Sequence, residues 1–364
     1  MNVEISVEKT KSPKTQPTDN LGFGKYFSDH MLLCYGSVPT SGAPTDQSKW
    51  ESPRIVPYAP LPLDPGASVL HYGQALFEGM KAFRGDDGKI RLFRPEMNFK
   101  RLRDGAARLC MQAPDKDTFL QSIEKFVEVE KSWIPKAPGT ALYLRPTLIG
   151  TEGFLGVRPS NEYLFYIVAS PVGGYYGEGI EAVKIWVETQ YARCAPGGIG
   201  AVKAGGNYAA SLLAALDAKK RGFAQVLWLD AAHHRFVEEV GTMNVFFAIG
   251  DKVITPPLAG TILPGVMRDS AIQLLKKLGH TVEERAISLD EVMMANERGL
   301  LKEVFGTGTA ASISPVGQLG FEDRTITIAD GRPGAISREL YATITDIQYG
   351  RKADEFGWTV EVKG

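Results

Sequence analysis

Gly197-Gly198-Ile199-Gly200-Ala201-Val202-Lys203-Ala204-Gly205-Gly206-Asn207-Tyr208 is the stretch on which the reading of this chain turns. One lysine stands in an uncharged segment, with three glycines before it and two after it. Glycine lets a backbone approach a ligand closely and adopt positive φ, but it costs entropy on folding. So dense a run is a poor way to build a core and a good way to line a site. An ammonium there is placed to act as a nucleophile or to bind phosphate. A nucleophilic Lys203 needs its pKa lowered by burial or cationic neighbours. The residues of the loop leave both roles open.

A length of 364 residues favours about two domains. A composition of 44% hydrophobic and 23% charged residues is that of an ordinary globular protein with a substantial core. Lys plus Arg number 41 against 42 Asp plus Glu, so no basic excess points to nucleic acid. No apolar run approaches a bilayer-spanning length, and no membrane partner is expected. The first twenty residues mix Lys with Glu and Asp and lack an apolar core, unlike a signal peptide. Cys34, Cys110 and Cys194 are odd in number and far apart, with no CxxC. They fit reduced thiols in a cytoplasm better than a disulfide framework or a zinc site. The expectation is a cytoplasmic enzyme without metal.

Residues 1–20 read as a flexible N-terminal arm, and Leu21 to Tyr35 as a first strand pair. Asp86-Asp87-Gly88 makes a hairpin turn into Ile90-Arg91-Leu92-Phe93. Pro95 opens a helix whose Phe99, Leu102, Ala106 and Leu109 share one face. A second amphipathic helix carries Phe119, Ile123 and Phe126, and strands follow at 141–148 and 163–169. These elements make an α+β domain over 21–171. The glycine-rich segment without periodicity that follows is the interdomain linker, 172–182. The second domain spans 183–364. In it, Asn207 caps a helix that stops at Gly222, and strands follow at 225–229, 236–240 and 244–249. Gly265 leads into another helix, and the strand from Leu301 closes in Gly306-Thr307-Gly308-Thr309-Ala310.

Several motifs fail. The glycines before Lys203 do not complete a dinucleotide fingerprint, and Gly206 stands where a Walker A loop needs lysine. His233-His234 lacks HExxH spacing and reads as a solvated turn, and no GxSxG elbow occurs. What remains is a set of isolated polar residues. Glu239, before Gly241-Thr242-Met243-Asn244, is either aimed at a ligand's protonated nitrogen or is an edge-strand charge, the reading given to Glu238. Gly265-Val266-Met267 and Gly306 to Thr309 offer N–H groups to a phosphate. Arg101 reaches a phosphate or is a surface arginine. Together, a lysine for a Schiff base, a carboxylate for a pyridine nitrogen and anion-binding loops are what pyridoxal phosphate chemistry needs.

The ordered segments FGKYFSDHML from Phe23, HYGQALFEGMKAFRG from His71, NFKRL from Asn98 and YLRPTLIGTEGFLGV from Tyr143 add to this, followed by KAGGNYAASL from Lys203, EEVGTMNVFF from Glu238, ILPGVMR from Ile262 and FGTGTA from Phe305. From about Phe23 almost to the C-terminus the chain resembles the branched-chain amino acid aminotransferases of PLP fold type IV. The resemblance implies an α/β (α+β) two-domain fold, with a smaller N-terminal α+β domain and a larger C-terminal domain around a β-barrel-like core. It implies pyridoxal 5'-phosphate as cofactor and reversible amino transfer from leucine, isoleucine or valine to 2-oxoglutarate. Lys203 would be the Schiff-base and proton-shuttle residue. Tyr208 would bond the phenolic oxygen and Glu239 the ring nitrogen; Arg101, Val266, Met267 and Thr309 would hold the phosphate. Thr242 and Ala310 would bind the substrate carboxylate, with Thr242 also at the cofactor. Phe23, Phe77 and Tyr143 would wall an apolar pocket, and Arg145 would take a second carboxylate. Tyr72, Leu155 and Val157 would come from the neighbouring subunit of a homodimer. The chain departs from some animal members, which carry CxxC where Ala311 and Ser314 stand, and Met267 is bulkier than the family position suggests. The alternatives are a D-amino acid transaminase or aminodeoxychorismate lyase of the same fold, or a non-catalytic phosphate-ligand binding protein.

Overall fold

Alternation along Leu142-Tyr143-Leu144-Arg145-Pro146-Thr147-Leu148 sends Leu142, Leu144 and Leu148 into a core and Tyr143, Arg145 and Thr147 to the opposite face. That strand is central to the first of two sheets in the computed structural model, which describes residues 2–40, 47–173 and 180–363. The chain divides into two compact units. One comprises Met1–Tyr175, Val202–Gly205 and Asp346–Gly364; the other comprises Tyr176–Ala201 and Gly206–Thr345.

In the first unit the strands are β1 (Ser6–Val7), β2 (His30–Ser37), β3 (Lys49–Trp50), β4 (Arg54–Pro57), β5 (Ala75–Phe77), β6 (Met80–Arg84), β7 (Ile90–Phe93), β8 (Ala141–Gly150) and β9 (Glu162–Val172). They run in the order β1-β4-β2-β9-β8-β6-β7, ending on the last strand of the chain, Thr359–Val362; β3 lies on β2 and β5 on β8. A short helix, α1 (Ser68–Tyr72), precedes β5. Helix α2 (Pro95–Arg108) starts with proline, where the missing N–H costs nothing, and α3 (Lys116–Val129) starts from Asp115, whose side chain accepts from the Thr118 N–H. Phe99, Leu102, Phe119, Ile123 and Phe126 from these helices pack with Leu142, Leu144 and Phe165 of the sheet.

Pro146 has no amide hydrogen, yet it sits in the middle of β8. Its carbonyl accepts from the Glu78 N–H at 2.7 Å, so its missing donor faces the same side, toward β5 and β6. There the ladder breaks. β5 pairs up to Phe77↔Thr147 and β6 resumes at Met80↔Leu144, so Glu78 and Gly79 stand between the two ladders, opposite Arg145 and Pro146. The break frees Glu78 to turn its carboxylate inward.

Three expectations change here. Residues 1–20 are not a loose arm: Ser6 and Val7 pair in parallel with Arg54 and Ile55, and the Val3 N–H donates to Gln121 Oε1. Leu21 to Tyr35 supplies one strand after a turn-rich loop, because Asn20, Gly22 and Gly24 all have positive φ. The last strand, placed by the sequence in the C-terminal domain, belongs to the first unit because it pairs with β7 from Thr359↔Phe93 to Val362↔Ile90. Of the expected linker 172–182, residues 174–179 lie outside the described residues.

The second unit holds β10 (Val183–Glu188), all but the first residue of α4 (Gly205–Lys220), β11 (Gln225–Leu229), β12 (Val237–Val240), β13 (Met243–Ile249), β14 (Lys252–Thr255), α5 (Val266–Lys277), β15 (Thr281–Glu284), α6 (Leu289–Glu297), β16 (Leu301–Gly308), β17 (Ser312–Phe321), β18 (Arg324–Thr327) and α7 (Ala335–Gln348) as far as Thr345. Strands pair in the order β12-β11-β10-β17-β16-β13, and β12 also pairs with β13, closing a six-stranded barrel; β14, β15 and β18 extend it. Ile185, Val187, Leu227, Leu229, Val245 and Phe247 are among its buried side chains. Closure removes the edges. The edge-strand readings of Glu238 and Glu239 therefore fail: β12 is flanked on both sides, and both carboxylates are buried.

Candidate active site

In the first unit the face of β8 opposite the core carries the aromatic and cationic groups. Tyr143 meets Phe23 edge-on, with ring centroids 4.7 Å apart. Arg145 Nη2 donates to Tyr143 Oη at 3.1 Å, and its guanidinium lies 4.5 Å from the Phe77 ring centroid. Burial pushes the Tyr143 phenol up from its ordinary pKa, against the opposing pull of Arg145. Lys203 reaches this cluster through its backbone: the Phe77 N–H donates to Lys203 O at 3.0 Å, and Leu76 bridges to Ala204. Its Nζ lies 4.9 Å from the Phe77 ring centroid, so two cations share one ring. Behind them, Glu78 takes Arg101 in a two-point buried ion pair, Nε to Oε1 at 2.8 Å and Nη2 to Oε2 at 2.7 Å. Asn98 Nδ2 also donates to Glu78 Oε2. Arg101 is no surface arginine.

In the second unit the register Asn244↔Thr307 sets the start of β13 beside the end of β16. The hairpin tips Gly241-Thr242 and Thr309-Ala310 therefore stand at one end of the barrel. Glu239 pairs with Asn244 at that end. Two donors reach its carboxylate at Oε1, the Leu263 N–H at 2.9 Å and Asn244 Nδ2 at 3.3 Å, and Arg193 forms an ion pair on the other side, Nε 3.0 Å from Oε2. Arg193 is held in turn by the carbonyls of Gly200 and Thr261. Glu238 points elsewhere; burial pushes its pKa up while a Thr261 hydrogen bond opposes the shift. Val266 and Met267 open α5 after Gly265, with no side-chain cap on their N–H groups. A Cβ on Gly265 would overlap Asn244 Oδ1, so bare backbone is required there.

The glycines around Lys203 divide by purpose. Gly197 has φ +77, and a Cβ on Gly200 would overlap Thr261 O, whereas Gly205 and Gly206 have nothing within 4 Å of that position. Asn207 is not an N-cap: α4 already starts at Gly205, and the Asn207 amide donates to Ile199 O at 2.9 Å, tying loop to helix. Tyr208 sits in the first turn of α4. Tyr72, Leu155 and Val157 form no part of either cluster; they are exposed on the first unit, where the Tyr72 hydroxyl donates to Leu155 O. Among the described residues no group of His, Cys, Asp and Glu could hold a metal, and no helix is long and apolar enough to cross a membrane.

Residues 75–319, which include Lys203, Glu239 and both hairpin tips, match the family model for amino-transferase class IV. The chain belongs to the class IV aminotransferase family. It is 50% identical to branched-chain-amino-acid transaminase 1 of Bacillus subtilis (strain 168) over 364 residues, covering all of both chains. It is 48% identical to branched-chain-amino-acid aminotransferase 2 of the same organism, covering 99% of this chain and 97% of the relative. The solved branched-chain amino acid aminotransferase of Escherichia coli superposes with a TM-score of 0.72 at 28% identity, covering 85% of this chain and 97% of that one. The closed six-stranded barrel is thus that of a class IV aminotransferase.

Sequence reasoning missed four members of these clusters: Arg193, Asn244, Glu78 and Asn98. Asn244 and Glu78 lie inside segments that carry the family resemblance, but nothing in their type marks them as partners of a charge. Arg193, in Tyr191-Ala192-Arg193-Cys194, carries no signal at all. Arg193 lies in the loop after β10 and its partner Glu239 on β12, so only the folded sheet brings the two together.

Proposed function

We propose that the protein is a branched-chain amino acid aminotransferase. It would move the amino group of L-leucine, L-isoleucine or L-valine reversibly to 2-oxoglutarate, giving the branched 2-keto acid and L-glutamate. The observation that carries this reading is Lys203 Nζ against Phe77, in one cluster with Tyr143, Phe23 and the guanidinium of Arg145. An apolar wall suits a branched side chain, and one cation at its edge suits the second carboxylate of glutamate.

The donor sets fit pyridoxal 5'-phosphate. A buried carboxylate held by two donors and an arginine ion pair, an α-helix start without a side-chain cap, and a glycine whose Cβ would overlap a side chain are what a protonated ring nitrogen and a phosphate ask of a protein. In this reading Glu239 takes the ring nitrogen and Tyr208 the phenolic oxygen. Arg101, fixed in one rotamer by Glu78, would hold the phosphate with Thr309 and the N–H groups of Val266 and Met267. When bound, the cofactor supplies a sink for the electron pair left at the substrate's α-carbon. Lys203 Nζ then moves the proton, taking it from the α-carbon and returning it one position away. Thr242 and Ala310, at the two hairpin tips, would orient the α-carboxylate. Phe23, Phe77 and Tyr143 would exclude water around the side chain, and Arg145 would distinguish the glutamate half of the cycle.

Tyr72, Leu155 and Val157 would complete the pocket of a second copy in a homodimer; Val157 is 87% exposed and Leu155 63%, a poor use of apolar groups in a lone chain. Soluble substrates and three unpaired cysteines suit a cytoplasmic enzyme. The test is chemical. Purified protein should be yellow, borohydride should abolish the visible band, and peptide mapping should then find the pyridoxyl group on Lys203. A colourless protein whose Lys203→Ala variant transaminates leucine normally would end the proposal. Conversion of D-alanine but not L-leucine would favour the D-amino acid alternative.

A further inference from the structure

Residues 10 to 14 lie across the base of the loop that carries Phe23. The Thr10 N–H donates to His30 Nε2 at 2.9 Å. Nε2 is then the acceptor nitrogen, and Nδ1 carries the proton toward Glu130 Oε1, 2.5 Å away. Glu130 Oε2 accepts the Asp29 N–H at 3.0 Å, and Asp29 Oδ1 accepts the Lys14 N–H at 2.8 Å. Trp133 Nε1 donates to the other Asp29 oxygen. The Lys14 ammonium donates to Phe27 O and Ser28 O at 3.2 and 2.7 Å and lies 4.3 Å from the Tyr58 ring centroid. Phe27 stacks on that same ring. Every backbone position from Phe27 to His30 thus meets the N-terminal segment or something the segment touches.

The loop so held is built to hinge. Asn20, Gly22 and Gly24 have φ of +47, +60 and +68, and a Cβ on Gly24 would meet nothing. Phe23 at its tip is 47% exposed yet sits edge-on to Tyr143. An exposed aromatic on three left-handed residues keeps one position only if the loop's base is fixed.

We propose that Thr10–Lys14 is a strap that sets Phe23 against Tyr143 and so determines how tightly the pocket takes an apolar amino-acid side chain. This rests on the reading of Phe23 and Tyr143 as pocket wall. The residues of the strap touch no reacting atom; they are positioning residues.

The test is the full-length double variant Thr10→Pro with Lys14→Met. Proline deletes the N–H donor to His30, and methionine deletes the ammonium but keeps the apolar stem. Two readouts are taken: amide hydrogen exchange over 20–28, and steady-state kinetics with leucine and with glutamate. We expect faster exchange in the loop and a rise of about fivefold or more in KM for leucine, the size of one or two lost hydrogen bonds. The KM for glutamate and kcat should change less than about twofold, because Arg145 is untouched. Thr10→Ala, which keeps the N–H, should behave as wild type. Unchanged exchange overturns the strap. Faster exchange with an unchanged leucine KM also overturns it, since the loop would then not serve the pocket. Wild-type protein unable to convert leucine would overturn the reading of the site instead, and the exchange data would still decide whether the strap holds the loop.

Discussion

Glu78 and Arg101 are buried with side-chain exposures of 0% and 8%, so each charge depends on the other. Removing one partner of such a pair leaves the other stranded. Glu78→Ala should therefore cost about 3–5 kcal/mol in urea unfolding, far more than loss of the exposed Lys100–Asp104 pair, which should cost less than about 1 kcal/mol. Lys81 gives a pH test. Burial pushes its ammonium down from the usual 10.5 to about 8. Between those values the unfolded chain holds a proton that the folded chain has lost, so stability rises with pH through the window and the cost is fully felt below it. Unfolding at pH 7.5 and 10 should show a gain on the order of 2 kcal/mol that Lys81→Met abolishes. At this scale the sequence was legible for residue type. Lys203, Glu239 and Arg101 each kept a bland alternative on residue type alone, and the ordered motifs chose between the readings. Their partners Arg193, Glu78 and Asn244 were not legible, since a charge's counterion is a fact of three-dimensional pairing.

At the scale of elements, the two halves of the lysine loop should respond oppositely to the same change. Gly200→Ala forces a methyl onto the Thr261 carbonyl and should destabilise by about 1–3 kcal/mol. Gly206→Ala, inside α4 with open space at the Cβ, should be neutral or stabilise by up to about 1 kcal/mol. Thermal or urea unfolding separates the two. Helices α2 and α3 were readable because their apolar positions recur at helical spacing, and a proline opens the first of them. The N-terminal strand was not, because a two-residue pairing carries no periodicity. Barrel closure was equally silent: β12 is four residues long, and its pairing with both β11 and β13 depends on the longer 230–236 connection, the tight Gly241-Thr242 turn and a register shift at Trp228/Leu229.

For the whole molecule, composition excluded more than it identified, and the ordered motifs carried the family. The return of the last strand to β7 was beyond sequence reasoning, since nothing in Thr359-Val360-Glu361-Val362 names its partner. The assembled enzyme should sediment at twice the chain mass, and Val157→Asp should weaken both assembly and leucine turnover by about tenfold or more. A monomer with full activity would refute the shared pocket. In the proposed reaction this chain exchanges an amino group between leucine and 2-oxoglutarate by way of Lys203. Its most direct measurement is a stoichiometric assay of wild type and Lys203→Ala with those two substrates and added pyridoxal phosphate. One glutamate should form for each leucine consumed, and kcat should fall by at least about a thousandfold in the variant. Glutamate formation at an undiminished rate in Lys203→Ala, or none in wild type, would contradict it.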